Sequence, residues 1–88
     1  MSDTIALLQA ALQVLAPEHL EIQDDSDAHA GHAGARAGGG HFDVLIVSSR
    51  FAGLNSVARH RLVYATLGDL MKTRVHALAI RALTPEEL

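Results

Sequence analysis

The stretch HFDVLIVSS at residues 41–49 decides the fold. Its apolar residues first alternate with polar ones and then become consecutive, and most of them are β-branched or aromatic. β-branched and aromatic residues favour strands. A strand that is apolar on both faces is typical of the centre of a sheet. We therefore predict a central strand over residues 41–49.

The segment before this strand predicts one helix and one strand. Apolar residues recur at helical spacing at Ile5, Leu8, Leu12 and Leu15. Pro17 ends this helix, because proline cannot donate the backbone hydrogen bond that a further turn needs. Leu20 and Ile22 then alternate with polar neighbours, which predicts a short half-buried strand.

The segment after the central strand predicts a helix, a strand and a short terminal helix. Asn55 or Ser56 can cap the helix, and Gly68 can split it in two. Its buried face would consist of Val63, Leu67, Leu70 and Met71. Residues 75–82 have the composition of a third strand, and Thr84 can cap a terminal helix.

The predicted element order is α-β-β-α-β-α over a single domain, residues 1–88. A strand-helix-strand unit implies that the second and third strands are parallel, with a right-handed crossover. The expected fold class is α+β, with helices packed against a three-stranded mixed sheet.

Residues 27–40 form a separate, low-complexity segment with five glycines, five alanines and no large apolar residue. Such a composition cannot bury enough surface to offset the entropy of ordering. We predict a flexible loop, of the kind that is either functional or simply mobile. The loop carries His29 and His32.

Six histidines and no cysteine make imidazole the chemically most informative group of the chain. Histidine is the commonest metal ligand and titrates near neutral pH. The loop histidines and His76, in the strand-like run 74–80, could together form half of a metal site. Zinc or copper would be possible but generic occupants. The chain has no cysteine, so it offers no thiolate to complete such a site.

Composition and charge exclude several classes of protein. No apolar run approaches the roughly 18 residues of a membrane span, and no secretory signal is visible, so we expect a cytoplasmic protein. No catalytic motif stands out, and we expect no enzyme.

Residues 1–35 hold six acidic and no basic residues, whereas residues 36–88 hold seven basic and four acidic ones. The basic half could meet an acidic partner or could simply be solvated surface.

Four ordered blocks of this sequence resemble the BolA family. They are His41-Phe42 opening a strand that ends at Val47-Ser48, the tripeptide Phe51-Ala52-Gly53, the run RHRLVY at residues 59–64, and VHAL at residues 75–78 leading to Thr84-Pro85-Glu86. With the N-terminal helix and strand, these blocks cover almost the whole chain.

The resemblance implies a fold like that of class II KH domains and a partnership with a monothiol glutaredoxin. In that partnership a two-iron two-sulfur cluster is shared between the two proteins and glutathione. His76 matches the histidine that the family uses as a cluster ligand, and His29 lies where the family has its loop ligand, with His32 as the alternative. His41 is interpreted as a structural residue. Alone, the chain would be a monomer or a weak homodimer.

The resemblance also implies DNA binding and transcriptional regulation, reported for some members of the family. Arg59, Arg61, Lys72 and Arg74 are the candidate phosphate contacts. The alternative is that Arg59 and its neighbours cap helices and pair with the acidic N-terminal half. The segment 53–56 does not match the GxxG loop with which KH domains clamp a nucleic-acid backbone.

Overall fold

The structure of the chain, a computed structural model, describes residues 3–24 and 40–88. Its regular elements are α1 (Asp3–Leu12), β1 (His19–Asp24), β2 (Gly40–Val47), α2 (Ser56–Leu67), α3 (Leu70–Thr73) and β3 (Val75–Leu83). Single 3-10 turns follow α1, β2 and β3, at Gln13–Leu15, Ser49–Phe51 and Pro85–Glu87. The loop predicted over 27–40 lies outside the described residues, except that Gly40 is already the first residue of β2.

The three strands form one sheet in the order β1-β2-β3. β2 pairs antiparallel with β1 and parallel with β3. The predicted central strand, the parallel pairing and the mixed α+β sheet are therefore confirmed. Because β2 and β3 are parallel, both strands begin at one end of the sheet and both finish at the other.

The helical segment between β2 and β3 is split in two, as the sequence allowed. Asn55 caps α2 by accepting a hydrogen bond from the Ala58 backbone N–H at 2.8 Å. Gly68 ends α2 with a φ of 55°, a backbone conformation that side chains disfavour. The segment after β3 differs from the prediction, because Thr84 and Glu87 close a capping box around a single 3-10 turn instead of starting an α-helix.

One face of the sheet packs against the helices and forms the core. Its buried members are Leu8, Leu12, Leu15, Phe42, Val44, Ile46, Phe51, Val63, Leu67, Val75 and Ala82. Alternate residues of the strands point to the other face, where Glu21, Asp43 and Arg81 are exposed. The sheet therefore has a helix-covered face and a polar face.

Candidate functional site

Two histidines meet at the end of the sheet where β2 and β3 begin. His41 is the second residue of β2, and His76 is the second residue of β3. Their ring centroids are 5.1 Å apart, and the ring planes are inclined by 33°. Parallel pairing of the two strands thus joins residues that are far apart in sequence.

A register shift between the strands produces this contact. Gly40 pairs with Val75, but His41 pairs with Ala77, so that His76 is an extra residue in β3. Val75 and Leu78 both pack in or against the core, although strict alternation would put them on opposite faces. A bulge of this kind redirects a side chain, and it leaves His76 and Ala77 together on the outside.

The bulge overrides the alternation of β3 at His76. Alternation counted back from Leu78 and Ile80 would place His76 on their side of the sheet. The structure instead leaves its side chain exposed and next to the ring of His41. The periodicity fails because a bulge depends on pairing between strands, which is not visible in the sequence of one strand.

Two imidazoles at one exposed end are suitable ligands for a metal that favours nitrogen. Within residues 3–24 and 40–88, no group of three His, Cys, Asp or Glu side chains is arranged to hold a metal ion. The loop candidates His29 and His32 lie outside the described residues. His41, interpreted from the sequence as a structural residue, is the histidine that the structure places beside His76.

Arg59, the first candidate phosphate contact, is engaged inside the protein. Its Nε donates to the Leu54 carbonyl oxygen at 2.8 Å, and its Nη1 donates to the Ala82 carbonyl oxygen at 2.9 Å. The guanidinium also donates two hydrogen bonds to the carboxylate of Glu87, at 2.6 and 3.0 Å. Its side chain is only 14% exposed. Arg59 therefore ties the start of α2 to the end of β3 and to the last turn.

The electrostatics of this ion pair are correspondingly strong. Hydrogen bonds from Arg59 and from the Thr84 backbone N–H lower the pKa of the Glu87 carboxyl to about 2. The hydrogen bond to Glu87 likewise raises the pKa of the Arg59 guanidinium. The acidic partner of Arg59 is thus in the C-terminal turn, not in the acidic N-terminal half that the sequence suggested.

The other three basic candidates are exposed, unlike Arg59. Successive helical residues are rotated by about 100° around the axis, so neighbours in sequence point in different directions. Arg61 is exposed on α2, while His60 is half-buried between the two arginines. Lys72 and Arg74, at the end of α3, are exposed as well.

Comparison with known proteins places this fold and its motifs in a family. The profile of the family described as BolA-like protein matches residues 8–87. This chain belongs to the BolA family. The family assignment made from the four sequence blocks is confirmed.

Individual relatives agree with the assignment. The chain is 47% identical over 75 residues to BolA-like protein 1 of Pongo abelii, covering 85% of this chain and 53% of that protein. It is 48% identical over 71 residues to a Vibrio cholerae protein named DNA-binding transcriptional regulator BolA, covering 81% of this chain and 64% of that one. The chain thus spans about half to two thirds of the length of these relatives.

A solved structure shows that the similarity extends to the fold. BolA1 from Arabidopsis thaliana superposes with a TM-score of 0.84 at 42% identity, covering 100% of this chain and 98% of that one. None of the helices in the described part of this BolA-like chain is long and apolar enough to span a membrane.

Proposed function

We propose that this chain is a BolA-like adaptor that binds a two-iron two-sulfur cluster jointly with a monothiol glutaredoxin and glutathione. The observation that carries the proposal is the exposed position of His76 at the end of the sheet, beside His41. A second protein can reach an imidazole in that position without unfolding any element of the domain.

The ligands that this chain offers fit a cluster shared with another protein better than a cluster bound by this chain alone. Clusters of this type are held mainly by thiolates, and two histidines can replace two cysteines on one iron, which raises the reduction potential. This chain has no cysteine, so the thiolates must come from other molecules. A glutaredoxin cysteine and the cysteine of glutathione would supply them. His76 would be one ligand, with His29, or alternatively His32, as the second.

In this proposal the chain acts as a binding partner and not as a catalyst, and it works in the cytoplasm as a monomer or weak homodimer that pairs with the glutaredoxin. The side chain of His76 contributes a neutral nitrogen. Only the neutral imidazole can bind a metal, so cluster assembly competes with protonation of the histidine ligands.

Anaerobic reconstitution with a monothiol glutaredoxin, iron, sulfide and glutathione tests this proposal. We expect a mixed complex whose visible circular dichroism spectrum differs from that of the glutaredoxin homodimer. His76→Ala should abolish that spectrum. His19→Ala is the matched control, because His19 is also an exposed strand histidine but pairs with Glu21. A complex that keeps its spectrum and lifetime with His76→Ala would refute the proposal.

A second candidate function is DNA binding, favoured by the exposed cations Arg61, Lys72 and Arg74. The printed name of the Vibrio cholerae relative points in the same direction. Arg59 would contribute indirectly, because its guanidinium already binds Glu87 and two carbonyl oxygens.

Titration of duplex DNA at several salt concentrations tests this second function. Contacts to phosphate make the affinity fall with increasing salt, and each lost contact reduces that slope by about one. We expect Arg61→Ala and Lys72→Ala to reduce both affinity and slope, and Arg81→Ala, on the polar face of the sheet, to change neither. Equal losses in all three variants, or no losses, would count against an interface on the helices.

A further inference from the structure

We propose that two copies of this chain pair through the free edge of β3, antiparallel and about a two-fold axis at Ala79. The two three-stranded sheets would then join into one sheet of six strands. The inference assigns a surface to the weak homodimer, and it depends neither on the cluster nor on a glutaredoxin.

The backbone of β3 presents alternate residues to its free edge. β3 is the last strand in the order of the sheet, so only one of its sides pairs with β2. The Leu83 carbonyl oxygen faces β2, because it accepts from the Ser48 backbone N–H at 2.9 Å. Alternation along the strand therefore turns the N–H and C=O groups of Leu78, Ile80 and Ala82 away from β2. Such groups are a template for a further strand.

Two features limit the open part of this edge to residues 77–81. At one end the Arg59 Nη1 donates to the Ala82 carbonyl oxygen at 2.9 Å and so occupies the edge. At the other end the bulge at His76 interrupts regular pairing. Ala79 is the middle residue of the open part. In antiparallel pairing about Ala79 the occupied Ala82 lies opposite the bulged His76, so the two limits coincide.

This register also matches the hydrogen-bonding groups of the two copies. It puts Leu78 of each copy opposite Ile80 of the other, and both residues turn their backbone groups to the edge. Each such pair exchanges two hydrogen bonds. Among the residues with described positions, no other hydrogen bond reaches the edge groups of Leu78 and Ile80. Their half-buried side chains pack against the core, and pairing would cover more of their apolar surface.

The side chains on the polar face accept a second copy without repulsion. Ala77 and Ala79 are small and exposed, and Arg81 is the only charged residue of the open edge. The register puts Arg81 opposite Ala77 of the second copy, so the two arginines lie about 13 Å apart along the strands. The nearest carboxylate on that face of the second copy is Asp43, which pairs with Ala79 in the neighbouring strand. The charges therefore favour this pairing.

The other edge of the sheet is less suited to self-pairing. β1 carries Glu21 and Asp24, and Glu18 precedes it directly. Two copies paired along β1 would bring carboxylates close together, and like charges across strands are destabilising. We therefore assign the contact to β3.

The contact is small, and the association should be weak. A five-residue segment from each copy is at the low end of interface sizes. We expect a monomer at about 10 μM and a substantial fraction of dimer at about 1 mM.

Cysteine cross-linking tests the register, because the chain has no cysteine of its own. Across the axis the two Ala79 residues form a pair without mutual hydrogen bonds, with Cα atoms about 4.5 Å apart. A disulfide spans that distance. In a glutathione redox buffer with EDTA, Ala79→Cys should form the interchain disulfide at least tenfold faster than Ala77→Cys, the control on the same strand and face. Equal rates would overturn the register.

A charge exchange tests the same axis. Ala79→Lys and Ala79→Glu should each abolish the dimer, because two like charges then meet. An equimolar mixture of the two variants should restore it as a heterodimer in analytical ultracentrifugation. Gln23→Lys, at an exposed position on β1, is the control and should dimerise like the parent. No recovery in the mixture, or an equal loss with Gln23→Lys, would overturn the proposal.

The unsubstituted chain provides a measurement that no folding defect can affect. Between about 10 μM and about 1 mM, the backbone N–H NMR signals of Leu78 and Ile80 should shift downfield as they form hydrogen bonds. A chain that stays monomeric over this range would overturn the proposal. Edge signals that shift only when a glutaredoxin is added would also overturn it, and would assign the edge to that protein. The spectrum of the reconstituted cluster is a separate readout, so the two proposals can fail independently.

Discussion

The two ends of the β2–β3 pair differ in how their polar groups are used. At the end where both strands finish, Ser48 is buried, and Arg59 and Glu87 bind each other and the surrounding backbone. At the end where both strands begin, His76 is exposed, and its ring lies against that of His41. The first end is closed by bonds within the chain, and the second presents ligand atoms to its surroundings.

This difference separates the part of the molecule that holds the fold from the part that we propose to be functional. A group that already has several internal partners gains little from an external ligand, because binding must first break those bonds. An exposed group held by a rigid strand loses little on binding. Substitutions should therefore reduce stability at the closed end and reduce binding at the histidine end.

The largest expected effect is that of Phe51→Ala at the closed end. Phe51 follows β2 and is fully buried in the core. Removing a buried aromatic ring leaves a cavity, and we expect the free energy of unfolding to fall by about 3–5 kcal/mol. Urea denaturation followed by circular dichroism measures this. Tyr64→Ala is the control, because Tyr64 is 40% exposed and its loss should lower the free energy of unfolding much less.

Ser48→Ala should have the next largest effect. The Ser48 hydroxyl donates to the Leu15 carbonyl oxygen at 2.6 Å and accepts from the Arg50 backbone N–H at 3.1 Å. Alanine would leave a buried carbonyl without its donor, which costs about 1–3 kcal/mol. Ser49→Ala, at an exposed position, should stay within about 0.5 kcal/mol of the parent in the same denaturation experiment. Equal effects of the two variants would contradict the role assigned to Ser48.

Glu87→Gln should have a smaller effect that depends on pH. Because the pKa of Glu87 lies at about 2 in the folded chain, below its ordinary value of 4.5, the ion pair with Arg59 contributes stability above pH 4.5. That contribution is lost as the pH falls from 4.5 towards 2.

We therefore expect Glu87→Gln to lower the thermal midpoint at pH 7 and to differ little from the parent near pH 2. Calorimetric melts across this range measure the difference. The control is Glu86→Gln, whose side chain is exposed beside it. A difference between parent and Glu87→Gln that stays constant down to pH 2 would contradict the ion pair as the cause.

The smallest expected effect on stability is that of His76→Gln at the histidine end. An exposed strand residue that fills no part of the core should change the free energy of unfolding by no more than about 0.5 kcal/mol. The same variant should lose binding of the shared cluster. A strongly destabilised His76→Gln would mean that the histidine end also stabilises the fold, as the closed end does, and would contradict the proposed difference between the two ends.

Much of the fold follows from local patterns in the sequence. Four features of the fold are each determined by the side chains of a few neighbouring residues, or by the lack of a side chain at glycine. They are the strand over 41–47, the end of the first helix before Pro17, the cap at Asn55 and the break at Gly68. The terminal segment was predicted only in part, because Thr84 and Glu87 close a capping box around one 3-10 turn.

The candidate site was less predictable. His76 was found from the sequence, but its neighbour His41 was assigned a structural role. The one available signal was that both residues stand near the start of strands predicted to be parallel. Arg59 was likewise grouped with Arg61, whereas the structure engages it with Glu87, 28 residues away.

The sequence by itself determined the elements, their order and the parallel pairing of β2 with β3, because hydrophobic periodicity and turn residues act locally. Only the tertiary structure decided the bulge at His76, its contact with His41 and the partner of Arg59. These depend on how distant segments pair, and a one-residue shift in register changes which face a side chain occupies. The ligands were visible in the sequence, but the place where two of them meet was not.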